Sequence, residues 1–376
     1  MIGILTFYWA DDYGGMLQAY ALKRQLELLG EKAEFIPYAP VRLTGRYWLC
    51  PLWAERKDSG LHYFFHRYLF KQNLLLGRSY WRRRRMMRAF RYRYLTKRLP
   101  VRSVKHLSLL PYQTVFVGSD QVWNPDITID LDDAYIGNIS RRGDCRLIAY
   151  GASLGGNPLL ADERKKFARH VCGFSAVSVR EETDVPRIER ILGRKVWNVL
   201  DPVLLLGRAE WEKVSKRYTG EGAIVVCTTQ PDELLLDYVR SLSKDSGRKI
   251  ISLSRPSNLS GHFRDGKAIP EIDVRIESGP AEFLGYIRSA YCVLTNSFHA
   301  MAFSILWEKP FLCFRHSTRS ARQEDLLRKL GLLSHLVGPD KPGNVMEIWS
   351  GTDWKQVRRR LAEARELSRR YIIENM

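Results

Sequence analysis

Five polar clusters stand where apolar, strand-like runs give out: DDYGG (11–15), GSDQVWN (118–124), YGAS (150–153), SVRE (178–181) and TNSFH (295–299). The last offers the most chemistry. Asn296 or Ser297 can cap a helix that begins at Phe298. The free N–H groups and positive dipole of that first turn suit a phosphate or carboxylate. His299 falls in the same turn; taken alone, a histidine there reads first as a hydrogen-bonded core residue. Arg180, at the tip of SAVSVRE, can grip an anion with two parallel N–H groups or pair with Glu181 or Glu182. Arg315, after PFLCF, is a second candidate cation. Asp120 and Gln121 end another strand, and Trp123 beside them offers a flat apolar face. Asp120 also suits a plain turn ahead of Asn124-Pro125. Tyr13, Gly14 and Gln18 sit where the first helix starts, the glycines permitting close backbone approach. No His, Cys and Asp cluster has metal-ligand spacing, so no metal is expected.

These clusters need strands to end at them and helices to follow. IGILTF reads as a strand, MLQAYALKRQLELLG as a helix closed by Gly30, and AEFIPY as the next strand. TVFVGSD, CRLIAYGAS and SAVSVRE repeat the theme, and VWNVLDPVLLL closes a first series. A second series runs from AIVVC through KIISLS and YCVLTN to PFLCF, with helices between and an amphipathic WKQVRRRLAEARELSRRYI at the end. Strands alternating with helices predict parallel sheets covered on both faces. Ligands bind such sheets beyond the carboxyl ends of the strands. The expectation is an α/β protein of two Rossmann-like domains facing a cleft, 1–204 and 205–376, the latter carrying the terminal helix.

The totals agree. At 376 residues, two domains are the natural division, and 45% hydrophobic with 27% charged residues describes a folded chain. Six scattered cysteines without paired spacing read as reduced and buried. MIGILTFYW has neither the basic flank nor the cleavage site of a signal peptide, and no run nears the ~18 apolar residues of a span. The net charge of +19 has one main source. Between Asp58 and Asp120 no acidic residue occurs, while Lys and Arg occur fourteen times among many aromatics. This basic aromatic helical excursion, about residues 41–110, has three readings. It is a solvated helix whose Met86, Met87, Phe90 and Tyr94 pack inward while arginines cover the rest; or residues 61–105 meet an anionic membrane surface; or it binds nucleic acid, ranked last because no RNP, zinc or helix-turn-helix pattern accompanies it.

In their order, GILTFYWADDYGGMLQAYAL, VGSDQVWNP, SVRE with VLDPVLL, GPAEFLGYIRSAYCVLTNSFHAMAFSILWEKPF and SARQEDLLRKLGL span nearly the whole chain, which thereby resembles the polysaccharide pyruvyl transferase family. Ala300 stands where the family usually has Gly; it is small and helix-compatible. The resemblance implies a glycosyltransferase-B-like fold. It further implies transfer of the enolpyruvyl group of phosphoenolpyruvate onto a sugar of an exopolysaccharide or cell-surface glycan precursor, as a cyclic ketal. Such chemistry needs a proton donor, a base and cations, with no redox cofactor or covalent nucleophile. In that frame His299, Arg180 and Asp120 are the catalytic candidates. Asn296, Ser297, Phe298, His299, Arg180 and Arg315 would hold the donor; Tyr13, Gly14, Gln18, Asp120, Gln121 and Trp123 would hold the acceptor. The basic excursion would suit an acceptor on a lipid diphosphate at the cytoplasmic membrane face. The rival reading is a sugar-nucleotide glycosyltransferase on the same fold. A carbohydrate-binding protein with a disabled site is a third, against which His299 and Arg180 speak.

Overall fold

The computed structural model describes residues 1–40, 44, 72–107, 111–128, 130–218, 222–254, 271–316, 320–338 and 342–376, with only the backbone for 72–76. The expected excursion therefore falls partly outside the described residues, at 41–43, 45–71 (with HYFFHRYLF) and 108–110. The chain divides into two compact units: Met1–Phe70 with Arg88–Leu206 and Glu363–Met376, and Lys71–Met87 with Gly207–Ala362.

The first unit carries a parallel sheet of β1 (Ile2–Leu5), β2 (Ala33–Phe35), β3 (Thr114–Asp120), β4 (Arg146–Ala152), β5 (Ala176–Val179) and β6 (Trp197–Asn198), in the order β2-β1-β3-β4-β5-β6. All four residues of β1 are buried, as a parallel strand covered on both faces requires. After β1 the chain first moves outward to β2 and then returns past β1 to β3. The topological switch point thus lies between β1 and β3, the place beyond the strand ends where sheets of this kind bind ligands. Helix α1 (Tyr13–Leu28) follows β1, with the Asp12 carboxylate accepting from Gly15 N at 2.9 Å as its N-cap.

The second unit repeats the plan with β7 (Ile224–Cys227), β8 (Ile250–Ser252), β9 (Ile272–Val274), β10 (Cys292–Thr295), β11 (Phe311–Phe314) and β12 (Leu336–Val337), ordered β12-β11-β10-β7-β8-β9. Its switch point lies between β7 and β10, where Thr295 pairs with Cys227. Strands β9 and β12 were not expected; at three and two residues they are too short to leave a pattern in the sequence. Two doubly wound α/β units make this a glycosyltransferase-B-like fold.

Two segments join units that a single cut at 204/205 does not give them. The end of the last helix, Trp354–Asn375, belongs to the first unit. There the Tyr371 hydroxyl donates to Ala149 O at 2.8 Å and Ser368 Oγ accepts from Leu200 N at 2.9 Å. Residues Lys71–Met87 belong to the second, where buried Arg83 donates to Ile276 O and Ser278 O at 3.3 and 3.4 Å. They form most of helix α2 (Gln72–Phe90), which runs on into a π-helical turn, Arg91–Leu95. Met87 and Phe90 are buried as expected, and Tyr94 packs edge-on against Tyr20 at 5.8 Å. Arg83 departs from the expectation that the arginines face outward.

Candidate active site

Each unit presents one polar cluster at its switch point. In the first, β3 ends in a backbone bent to a purpose. Gly118 has φ +110°, and a Cβ there would run into Tyr150 O, so only glycine fits. Asp120 itself has φ +79°, a conformation that Asp tolerates better than most residues and that redirects its side chain. The Asp120 Oδ1 accepts from Gln121 N at 2.8 Å and meets Arg180 Nη2 at 3.4 Å. Its Oδ2 lies 3.6 Å from where a Cβ on Gly15 would stand, so the carboxylate borders the first turn of α1.

Arg180 is the centre of this cluster. Its Nη1 binds Asp201 Oδ2 at 2.5 Å, and its Nε stands 3.9 Å from Glu181 Oε1, which also accepts from Ser153 Oγ at 2.8 Å. Burial works against the guanidinium charge, but the carboxylates of Asp201, Glu181 and Asp120 outweigh it and hold Arg180 above its ordinary pKa. The guanidinium that was expected to hold a donor anion is thus engaged by three protein carboxylates. Arg180 holds Asp120.

The remaining first-unit residues divide sharply. Trp123 is fully buried; its Nε1 donates to Tyr135 O at 2.9 Å and its ring packs edge-on against Phe167 at 4.9 Å. It is core and no stacking platform, which corrects its expected role. Gln121 is buried and accepts from Asn124 Nδ2 at 2.8 Å. Gln18 is buried too, its Nε2 donating to Thr6 Oγ1 and Gly15 O at 2.9 Å each. Both are engaged within the protein. Tyr13 and Gly14 are buried as α1 opens. Missed by sequence reasoning was Arg91, which donates to Asp11 Oδ1 at 2.7 Å and Trp9 O at 3.0 Å and lies 4.8 Å over the Trp9 ring. It fastens the loop between β1 and α1.

In the second unit, helix α3 (Phe298–Leu306) starts at Ser297, but neither expected side chain caps it. Asn296 turns away: its Oδ1 accepts from Thr229 N at 2.7 Å and its Nδ2 donates to Gln230 O at 3.1 Å. It ties the end of β10 to the loop after β7. Thr295 Oγ1 accepts from Ser297 N at 2.8 Å, ahead of the helix proper. Neither Asn296 nor Ser297 thus supplies the side-chain cap that the sequence suggested. His299 lies in the first turn, 8% exposed, with its ring edge-on to Phe298 at 5.3 Å. Ala300 is fully buried.

Arg315 is half-exposed and bonded to Glu324 at 2.8 Å, an interaction that holds the Glu324 carboxyl below the usual carboxylate range. Its charge is answered within the protein. Two neighbours in SARQED were overlooked instead. Gln323 is buried and donates to Asn296 O at 2.8 Å, and Arg322 lies 5.3 Å over the Phe298 ring, beside the helix start. Thr228 and Ser254, bonded to one another at 2.9 Å, complete the polar cluster of the second unit. The polar run TTQ directly after AIVVC was the signal for Thr228.

A family model for polysaccharide pyruvyl transferase matches residues 12–318. The chain belongs to the polysaccharide pyruvyl transferase family. The family match takes in Asp120, Arg180 and His299, and ends before Arg322 and Gln323. A comparison with curated proteins found no match. Among solved structures, a UDP co-structure of S. aureus MnaA is 10% identical, with 96% of this chain and 90% of that one covered at a TM-score of 0.50. A putative UDP-N-acetylglucosamine 2-epimerase from Listeria monocytogenes is 11% identical over 98% and 89%, with a TM-score of 0.49. The glycosyltransferase SnogD from Streptomyces nogalater is 12% identical over 98% and 94%, at 0.41. At such identities the first likeness speaks for the fold alone.

Proposed function

We propose that this pyruvyl transferase uses phosphoenolpyruvate as donor and a sugar of a polysaccharide or cell-surface glycan precursor as acceptor. A proton is delivered to the methylene carbon of the enol phosphate. The neighbouring carbon becomes oxocarbenium-like and is attacked by one sugar hydroxyl. Phosphate then departs, and a second hydroxyl closes the cyclic ketal. The scheme calls for no redox cofactor and no covalent nucleophile. The family match carries this reading, and His299 in the first turn of α3, at the switch point of the second sheet where a helix dipole favours an anion, supports it.

His299 serves as the proton donor in this scheme, beside N–H groups that receive the donor's phosphate or carboxylate. Asp120 takes the hydroxyl proton, its carboxylate oriented by Arg180. The acceptor is a glycan on a lipid diphosphate, handled at the cytoplasmic face of the membrane. The melting temperature of the purified protein should rise with phosphoenolpyruvate and not with UDP-sugars or phosphate. That rise should vanish in His299→Ala, and turnover should fall about 10²–10⁴-fold, the usual loss with a general acid. Stabilisation by UDP-sugars alone would replace this reading with a sugar-nucleotide glycosyltransferase.

A further inference from the structure

Helix α2 carries a surface that the transfer reaction does not use. Arg78, Trp81, Arg82 and Arg85 recur at helical intervals and are exposed. Trp81 is 58% exposed. None of the three arginines has a carboxylate partner among the described residues, and the stretch from Asp58 to Asp120 has no acid to supply one. A solvated helix ordinarily mixes charges of both signs. This one pairs a single sign with a large apolar tip.

We infer that the exposed face of α2 from Arg78 to Arg85 is a docking surface for an anionic lipid bilayer. Guanidinium heads on long stems bind lipid phosphates while the stems and the Trp81 side chain settle among the headgroups. A polyanion in solution would use the arginines and leave the apolar tip without a role. Nor does the ring serve as a stacking platform for bases. Arg85 lies 5.9 Å over Trp81, so a protein cation already occupies a face of it. Among the described residues no helix is long and apolar enough to cross a membrane, so the contact is with the surface. The inference stands independently of the transfer reaction proposed above.

The test is flotation of the full chain with vesicles of phosphatidylcholine alone or mixed with phosphatidylglycerol, across a salt series. Binding should require phosphatidylglycerol and weaken with salt. Each of Arg82→Gln and Arg85→Gln should lower partitioning about fivefold, the factor for one basic residue at an anionic surface. The variant Trp81→Ala should also bind more weakly, with an unchanged melting temperature because the ring is exposed. Should the arginine variants fold poorly, the aromatic variant and the wild-type salt series still decide. Equal flotation of the aromatic variant and wild type, together with competition by dextran sulfate, would make this a polyanion site and overturn the inference. Absence of binding to the mixed vesicles would overturn it outright.

Discussion

Residue by residue, the buried cluster around Arg180 is the feature with the strongest consequences. Its members come from distant points of the chain, Asp201 being 21 positions away and Asp120 60. Removing the guanidinium strands several carboxylates in a place water does not reach. Arg180→Ala should therefore cost about 3–5 kcal/mol in urea denaturation, as breaking a buried ion pair does. Arg180→Lys should recover part of that stability and less of the activity, because an ammonium replaces the charge but not the planar fork. A donor-gripping arginine would instead show a raised KM for phosphoenolpyruvate with stability intact. The sequence exposed this choice, a substrate clamp or a salt bridge to Glu181, without deciding it. Its closest partner, Asp201, lay in VLDPVLL, a segment read as a family motif and the end of a domain but not as a partner of Arg180.

At the scale of elements, short polar caps and buried rings set how the strand ends are held. His335 shows this at the edge of the second sheet. Its ring stacks on Phe311 at 4.3 Å, and its two nitrogens meet Phe311 O at 3.0 Å and Thr352 Oγ1 at 2.9 Å. Burial lowers its pKa below the ordinary histidine value of about 6.5, more than the Phe311 carbonyl raises it. The unfolded chain thus takes up a proton near 6.5 that the folded chain resists. This contribution to stability is complete above that value and declines as pH falls through it toward the folded pKa. Melting temperatures at about pH 8 and about pH 5.5 should differ less in His335→Gln than in wild type. An equal difference in both proteins would assign the acid sensitivity elsewhere.

For the whole molecule, the end of the chain is structural. Tyr371 is fully buried in the first unit, near Tyr150 and Trp197, with its hydroxyl on Ala149 O. Tyr371→Ala should cost about 3–5 kcal/mol, comparable to removing a core aromatic, although it lies close to the final residue. Chemical denaturation would show it, and a loss under about 1 kcal/mol would mean that the terminal helix is an ornament. The amphipathic pattern of that helix was plain from the sequence; which unit would bury its apolar face was not. The same division runs through the molecule. By itself the sequence determined the βα alternation, the family and the residues ending each central strand, because parallel strands covered on both faces must be apolar until they stop. Only the tertiary structure decided what those polar residues do. It buried Trp123 and Gln18, enclosed Arg180 among carboxylates and turned Asn296 away from the helix start beside His299, since a polar side chain's role depends on partners far away in sequence.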